Sequence, residues 1–265
     1  MTAHSATAAP AIPASRSGPL LGFGTILRKE LTEWLRGPKA LIILGVSVLG
    51  AIFMTLIPFI AEATGEAAEA GLLSRDPTAN VLLGWTGQTV VVIAILATMA
   101  LVSGERDRGT LGWTLSNPVS PTSVILAKYL VATVLVTVTA ILLPMVVSVA
   151  IATALYGVPD FRVVGTFAVL FLTLPIFYVA VTVFLGTVVK STVGVAGVAF
   201  AVAFIPSAIG GLVPIIGQVS PTSVGTWAMA VAKGQPASML TPIGWLVAMA
   251  FLVVGAKLVF DRQEH

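Results

Sequence analysis

The sequence contains no cysteine, two histidines and few charges. Without cysteine there is neither a disulfide framework nor a thiolate metal site. His4 and His265 stand at opposite tails, which excludes a shared metal. No G-x-x-x-x-G-K-[ST] loop is present, because Lys190-Ser191 lacks the preceding glycines, so the chain has no phosphate cradle of its own. Charged residues make up 9% of the 265, against roughly 25% in an ordinary soluble domain. The long apolar runs hold no Asp, Glu, Lys or Arg, so no paired carboxylates and no Ser–His–Asp set can be assembled. An enzyme reading has no material here. Proton- and ion-coupled carriers need intramembrane ionisable groups, and those are missing too. The net charge of +3 is not gathered into a patch, so no nucleic-acid partner is expected.

What is present is apolar: 57% of the chain. The charge-free runs are 40–61, 77–104, 129–159, 163–189, 191–232 and 234–256. Each exceeds the roughly 20 residues a helix needs to cross about 30 Å of hydrocarbon. A charge at the bilayer centre costs roughly 2.5–3.5 kcal/mol on insertion scales, which explains why the runs lack them. The pattern predicts an all-α, polytopic integral membrane protein with six transmembrane helices and an N-terminal amphipathic elbow helix.

Residues 1–24 are rich in Ala, Pro and Ser, and are expected to be a disordered cytoplasmic tail and not a cleavable signal. Over 25–37, Leu27, Leu31, Trp34 and Leu35 recur at helical spacing, with Arg28, Lys29, Thr32, Glu33 and Arg36 on the other face. That is the pattern of an interfacial helix, ended by Gly37-Pro38. The membrane body spans 38–260, with crossings expected at about 40–60, 81–103, 129–155, 163–189, 193–212 and 242–260. Trp85 reads as an interfacial anchor of the second. The uncharged run 191–232 would extend ~63 Å as one helix, so Pro206, Gly210-Gly211 and Pro214 must break it. Residues 213–240 are therefore expected to form an outer-leaflet segment with a short amphipathic helix, on which Val224, Trp227, Ala228 and Val231 share a face.

Lys and Arg set the orientation. Eleven lie in the tails and in the connections after spans two and four; three (Arg75, Arg162, Lys233) lie on the other side. Both termini are thereby expected in the cytoplasm, with the protein multi-pass in the cell membrane. The hexapeptide VSPTSV occurs at 119–124 and again at 219–224. Each copy reads as a Ser N-cap followed by Pro at the first helical position.

The connection 104–128 is the most polar one. Thr110 to Ser116 can form a short helix with Leu111 and Leu115 one turn apart, a stripe that a partner groove could grip. An unbroken helix from Pro121 to Leu155 would be ~52 Å long, so its first turns must project beyond the bilayer. The plainer alternative is a solvated turn in which Glu105 and Arg108 pair at i,i+3.

In this connection, Glu105, Arg106, Gly109, Thr110, Leu111, Leu115, Pro118, Ser120, Ala127 and Lys128 fall in an E-R-x-x-G-T-L…P-x-S…A-K pattern. In that respect the chain resembles the six-span permeases of ATP-binding-cassette (ABC) exporters, the type-2 permease family. Lys29, Glu30, Leu31, Glu33, Trp34 and Arg36 resemble its elbow helix. Gly112-Trp113-Thr114 and Pro121 depart from the usual pattern. The resemblance covers the chain from Thr25 onward. It implies a non-enzymatic permease subunit with ATP and Mg bound by separate cytoplasmic ABC ATPase subunits. Those subunits would dock on the residues named above together with Arg108. It also implies a second permease copy, as homodimer or heterodimer, in contact with membrane lipid. The substrate path would be drawn from Phe53, Met54, Thr98, Phe200, Phe204 and Ser207, and a hydrophobic or amphipathic cargo would leave the cytoplasm or inner leaflet. An ATP-independent carrier or channel, and a non-transporting scaffold for an ATPase, are the competing readings.

Overall fold

The computed structural model describes residues 18, 20–64, 76–83, 89–107 and 119–263; the side chains of 83, 106, 107, 121, 253 and 256–263 lie outside that description. Among the described residues the regular structure is entirely helical. Helix α1 (Phe23–Arg36) is built from strong helix formers and buries the stripe Ile26, Glu30 and Trp34. Gly37 is extended and donates its N–H to the Glu33 carbonyl at 3.0 Å, ending the helix. Pro38, which has no N–H to lose, opens α2 (Pro38–Thr64).

Three shorter helices follow: α3 (Pro77–Leu83), α4 (Thr89–Thr98) and α5 (Ser103–Asp107). The Asp76 carboxylate accepts the Thr78 N–H at 2.9 Å and so caps α3. Trp85 lies outside the described residues. Residues 99–102 form a turn between α4 and α5. Helix α6 (Pro121–Thr137) passes through a π turn (Val138–Leu142) into α7 (Leu143–Leu155). The cause is Pro144: lacking an N–H and crowding the preceding turn, it displaces the regular ladder, and the Leu143 N–H reaches back to Val138.

Asp160 caps α8 (Phe161–Phe171) through the N–H groups of Arg162 at 2.8 Å and Val163 at 3.3 Å. Helix α9 (Thr173–Val188) continues from it after a break at Leu172, three residues before Pro175. Ser191 caps α10 (Thr192–Gly210) by accepting the Gly194 N–H at 3.1 Å. Then come α11 (Pro214–Val219), a 3₁₀ turn (Pro221–Ser223), α12 (Val224–Ala232) and α13 (Leu240–Gln263). Among the described residues, four helical stretches are long and apolar enough to cross a membrane: Pro38–Thr64, Thr122–Leu155, Phe161–Val188 and Thr192–Gly210. Thr89–Glu105 and Leu240–Leu252 are apolar but shorter.

The core is centred on α8 and α9, where Phe167, Phe171, Phe177 and Tyr178 are fully buried. Phe167 stacks on Phe171 with ring centroids 5.0 Å apart, and Phe177 meets Tyr178 edge-on at 5.1 Å. Helix α9 touches α4, α6, α10 and α13; α2 packs on α7, and α12 on α8. Buried hydroxyls fasten neighbours together. Thr98 bonds Thr182 at 2.7 Å, and Ser103 bonds Thr192 at 3.0 Å. The outward faces are apolar, with Leu41 of α2 and Phe251 of α13 at least 70% exposed, as a lipid-facing surface requires.

Candidate functional site

Charged side chains of α1, α5 and α6 meet at one end of the bundle. Lys128, in the second turn of α6, is 3% exposed. Its Nζ donates to Glu30 Oε1 on α1 at 2.8 Å and to Glu105 Oε1 on α5 at 2.8 Å. Lys29 Nζ adds a third link, 3.3 Å from Glu105 Oε1 and 3.6 Å from Glu33 Oε1. Glu30 and Glu105 are both buried, so two carboxylates and one ammonium share a dry site, with Lys29 half-exposed at its rim. Each charge is tolerable only because the others are there. Burial alone would push the Glu105 carboxyl up. The Lys128 hydrogen bond, with the charges of Lys128 and Lys29, outweighs that and holds it below the ordinary carboxylate range. Burial lowers Lys29, but Glu105, Glu30 and Glu33 together raise it above the usual lysine value.

Local sequence explains the convergence. Ser120 caps α6 by accepting the Ser123 N–H at 3.1 Å, and two turns on from that cap Lys128 points inward. A small apolar cluster of Ile26, Val124 and Ala127 glues α1 to α6 just beside the ions. Gly22, at φ +76°, lets the chain lie against Val119, where a Cβ would collide with the Val119 side chain. The Ser120 N–H then donates to the Leu21 carbonyl at 3.1 Å.

Of the sequence candidates for partner coupling, the structure brings Glu105, Ser120 and Lys128 to this end, and Arg106 by its backbone in α5. Arg108, Gly109, Thr110, Leu111, Leu115 and Pro118 lie outside the described residues. On α1, Glu30 and Trp34 are buried, Lys29 and Glu33 form the rim, and Leu31, Leu35 and Arg36 are exposed. Sequence reasoning named Glu30 but missed its burial. The available signal was its spacing of four from both Ile26 and Trp34.

The six candidates for a substrate path lie on three helices, α2, α4 and α10. Phe53 and Met54 are exposed on α2, whereas Thr98 is buried against Thr182. Phe200 and Phe204 are ring neighbours at 5.9 Å on α10. Ser207 joins a hydroxyl cluster with Ser220 and Thr222. None of the six lines the cavity of about 740 Å³ between α9, α10 and α13, whose wall is Phe177, Val181, Phe184, Val202, Val247 and Phe251 among others.

Long apolar helices and apolar outer faces define a multi-pass helical membrane protein. The model of the ABC-2 family transporter proteins matches residues 24–264, nearly the whole chain, and the chain belongs to that family. No curated protein matches the sequence.

Proposed function

We propose that this chain is the membrane-spanning permease subunit of an ATP-driven ABC exporter. The two shorter apolar helical stretches complete six crossings, and α1 lies as an elbow in the cytoplasmic interface. The charged end faces the cytoplasm, as do both termini, and the protein sits in the cell membrane. It pairs with a second permease copy, identical or related. Separate ABC ATPase subunits carry ATP and Mg and dock on the 104–128 connection. The cargo is hydrophobic or amphipathic, in keeping with spans free of ionised groups, and passes near Phe53, Met54, Thr98, Phe200, Phe204 and Ser207.

The observation that carries this reading is the three-way contact of Lys128 with Glu30 and Glu105. It joins the elbow to both ends of the 104–128 connection in one unit. A push delivered to that connection is passed to α6 and α1 together, because separating them exposes an unpaired ion in a buried site. The test is co-purification from membranes of the full chain with a co-expressed ABC ATPase. Leu111→Asp places a charge on the gripping stripe and is expected to abolish association while the permease still inserts. ATPase binding at the wild-type level in that variant would sink the docking assignment.

A further inference from the structure

We propose that Ser103 and Thr192 are positioning residues that tie the first turn of α10 to the ion cluster, so that α10 follows α5. Helix α5 is little more than one turn, Ser103–Asp107, and it is anchored at two points. At its start the fully buried Ser103 hydroxyl lies 3.0 Å from the Thr192 hydroxyl, at the first position of α10. Ser103 can donate to the Met99 carbonyl at 2.8 Å and accept from Thr192 in the same geometry. Two residues on, the Glu105 carboxylate accepts from Lys128 of α6 at 2.8 Å and from Lys29 of α1 at 3.3 Å. At about 1.5 Å of rise per residue, the two anchor points stand about 3 Å apart along one helix axis. So short a piece of helix cannot bend between them. A tilt imposed at Glu105 is delivered at Ser103.

The seat of α5 is close-fitting. Val102, directly before Ser103, is buried against Gly186 in the last turn of α9. A Cβ at position 186 would stand 2.9 Å from the Val102 Cβ, so only glycine allows this approach. Residues 189–191 are all that separates α9 from α10. Val102 and Ser103 are thus gripped from both sides of that connection, by Gly186 through packing and by Thr192 through a directional bond. Close packing resists a push, and the hydroxyl pair fixes its direction. Helix α5 also packs on α10 directly. Phe200, Phe204 and Ser207 lie further along α10 and shift with its first turn. That bearing on transport rests on the permease reading, whereas the link between the ion cluster and α10 does not.

The test is hydrogen exchange of the α10 amides from Val195 to Ala199, measured on the full chain in nanodiscs. Glu105→Gln slackens the grip on α5 and strands no buried charge, because Lys128 keeps Glu30. It is expected to speed that exchange about threefold, the scale of one hydroxyl bond between helices in a bundle. In a Ser103→Ala or Thr192→Val background the same substitution should add nothing at α10. Thr192→Ser keeps the hydroxyl and should restore the threefold response. A pair that only packs would alter α10 exchange by itself but not the response to Glu105→Gln. Lys29→Gln removes the half-exposed link to the same carboxylate and is the second perturbation, used where thermal melting shows Glu105→Gln to be unfolded. An equal response with and without the two hydroxyls would overturn the proposal, as would an α10 that ignores the perturbation in the otherwise unaltered chain. No ATPase enters the measurement, so failed ATPase docking leaves the link standing, and a failed link leaves the docking assignment standing.

Discussion

The Lys128 ammonium lies 2.8 Å from a carboxylate oxygen of Glu30, 98 residues earlier in the chain. The pair closes the longest charged link among the described residues of this end, and the same ammonium holds Glu105 at equal distance. Removing it leaves two buried carboxylates side by side. Lys128→Met is therefore expected to destabilise the protein by about 3–5 kcal/mol. Combining it with Glu30→Gln and Glu105→Gln should recover much of the loss, since no buried charge then lacks a partner. Thermal unfolding in detergent measures both; an unchanged midpoint for Lys128→Met would show that the cluster contributes nothing to stability.

The pH response follows from the two perturbed groups. Glu105 is held below its usual value, so its contribution is present above about pH 4.3, the unfolded reference, and is lost as pH falls through the lower folded value. Lys29 is raised, so its contribution is present below about pH 10.4 and is lost as pH rises through its higher folded value. Stability from these groups should be flat between those limits and fall outside them. Charge-neutralised Glu105→Gln should flatten the acid limb in a melting series against pH.

Gly22 combines a left-handed φ of +76° with contact against Val119. Gly22→Ala should cost about 1–3 kcal/mol through backbone strain and overpacking, and should loosen α1 from α6. Hydrogen exchange of the α1 amides reads that loosening directly, and protection equal to wild type would refute it.

The Thr98 and Thr182 hydroxyls lie 2.7 Å apart, and each is also within hydrogen-bond reach of a carbonyl one turn back in its own helix; with one proton each, the hydroxyl that donates to its partner gives up its own carbonyl. Because that local bond is regained when the partner is removed, the coupling should be small, about 0.6 kcal/mol in a double-mutant cycle with valine. A coupling near zero would mean that the two hydroxyls only pack together.

Much of this architecture could be read before any coordinates, and the reasons are local. Pro38, Pro121, Pro221, Ser120 and Ser220 mark helix starts by backbone chemistry that needs no neighbour, and both copies of VSPTSV do open a helical turn with a serine cap. The absence of strands among the described residues follows from the length of the apolar runs. The ion cluster was less legible. On α1 the apolar face was read as interfacial; its Leu31 and Leu35 are exposed, at 41% and 61%, while Trp34 of that face turns inward with Ile26 and Glu30. Lipid and protein interior are both apolar, so hydrophobic spacing alone cannot tell the two faces of such a helix apart. A buried glutamate needs its lysine from α6, and nothing in the sequence near Glu30 announces Lys128. The inner placement of Thr98 is hidden for a similar reason, since its partner is 84 residues distant.

The π turn at Val138–Leu142 has a geometric outcome for the whole bundle. A wide turn admits one additional residue, which rotates everything beyond it by about 100° relative to an uninterrupted spiral. The half that begins at Pro121 presents its inward residues to α1 and α9, and the half that ends at Leu155 presents Met145, Ser148 and Ala152 to α2 and α3. One continuous rod thus serves two different sets of neighbours at its two ends. Straightening it by Pro144→Ala would bring both halves into phase and force one set of contacts to be given up.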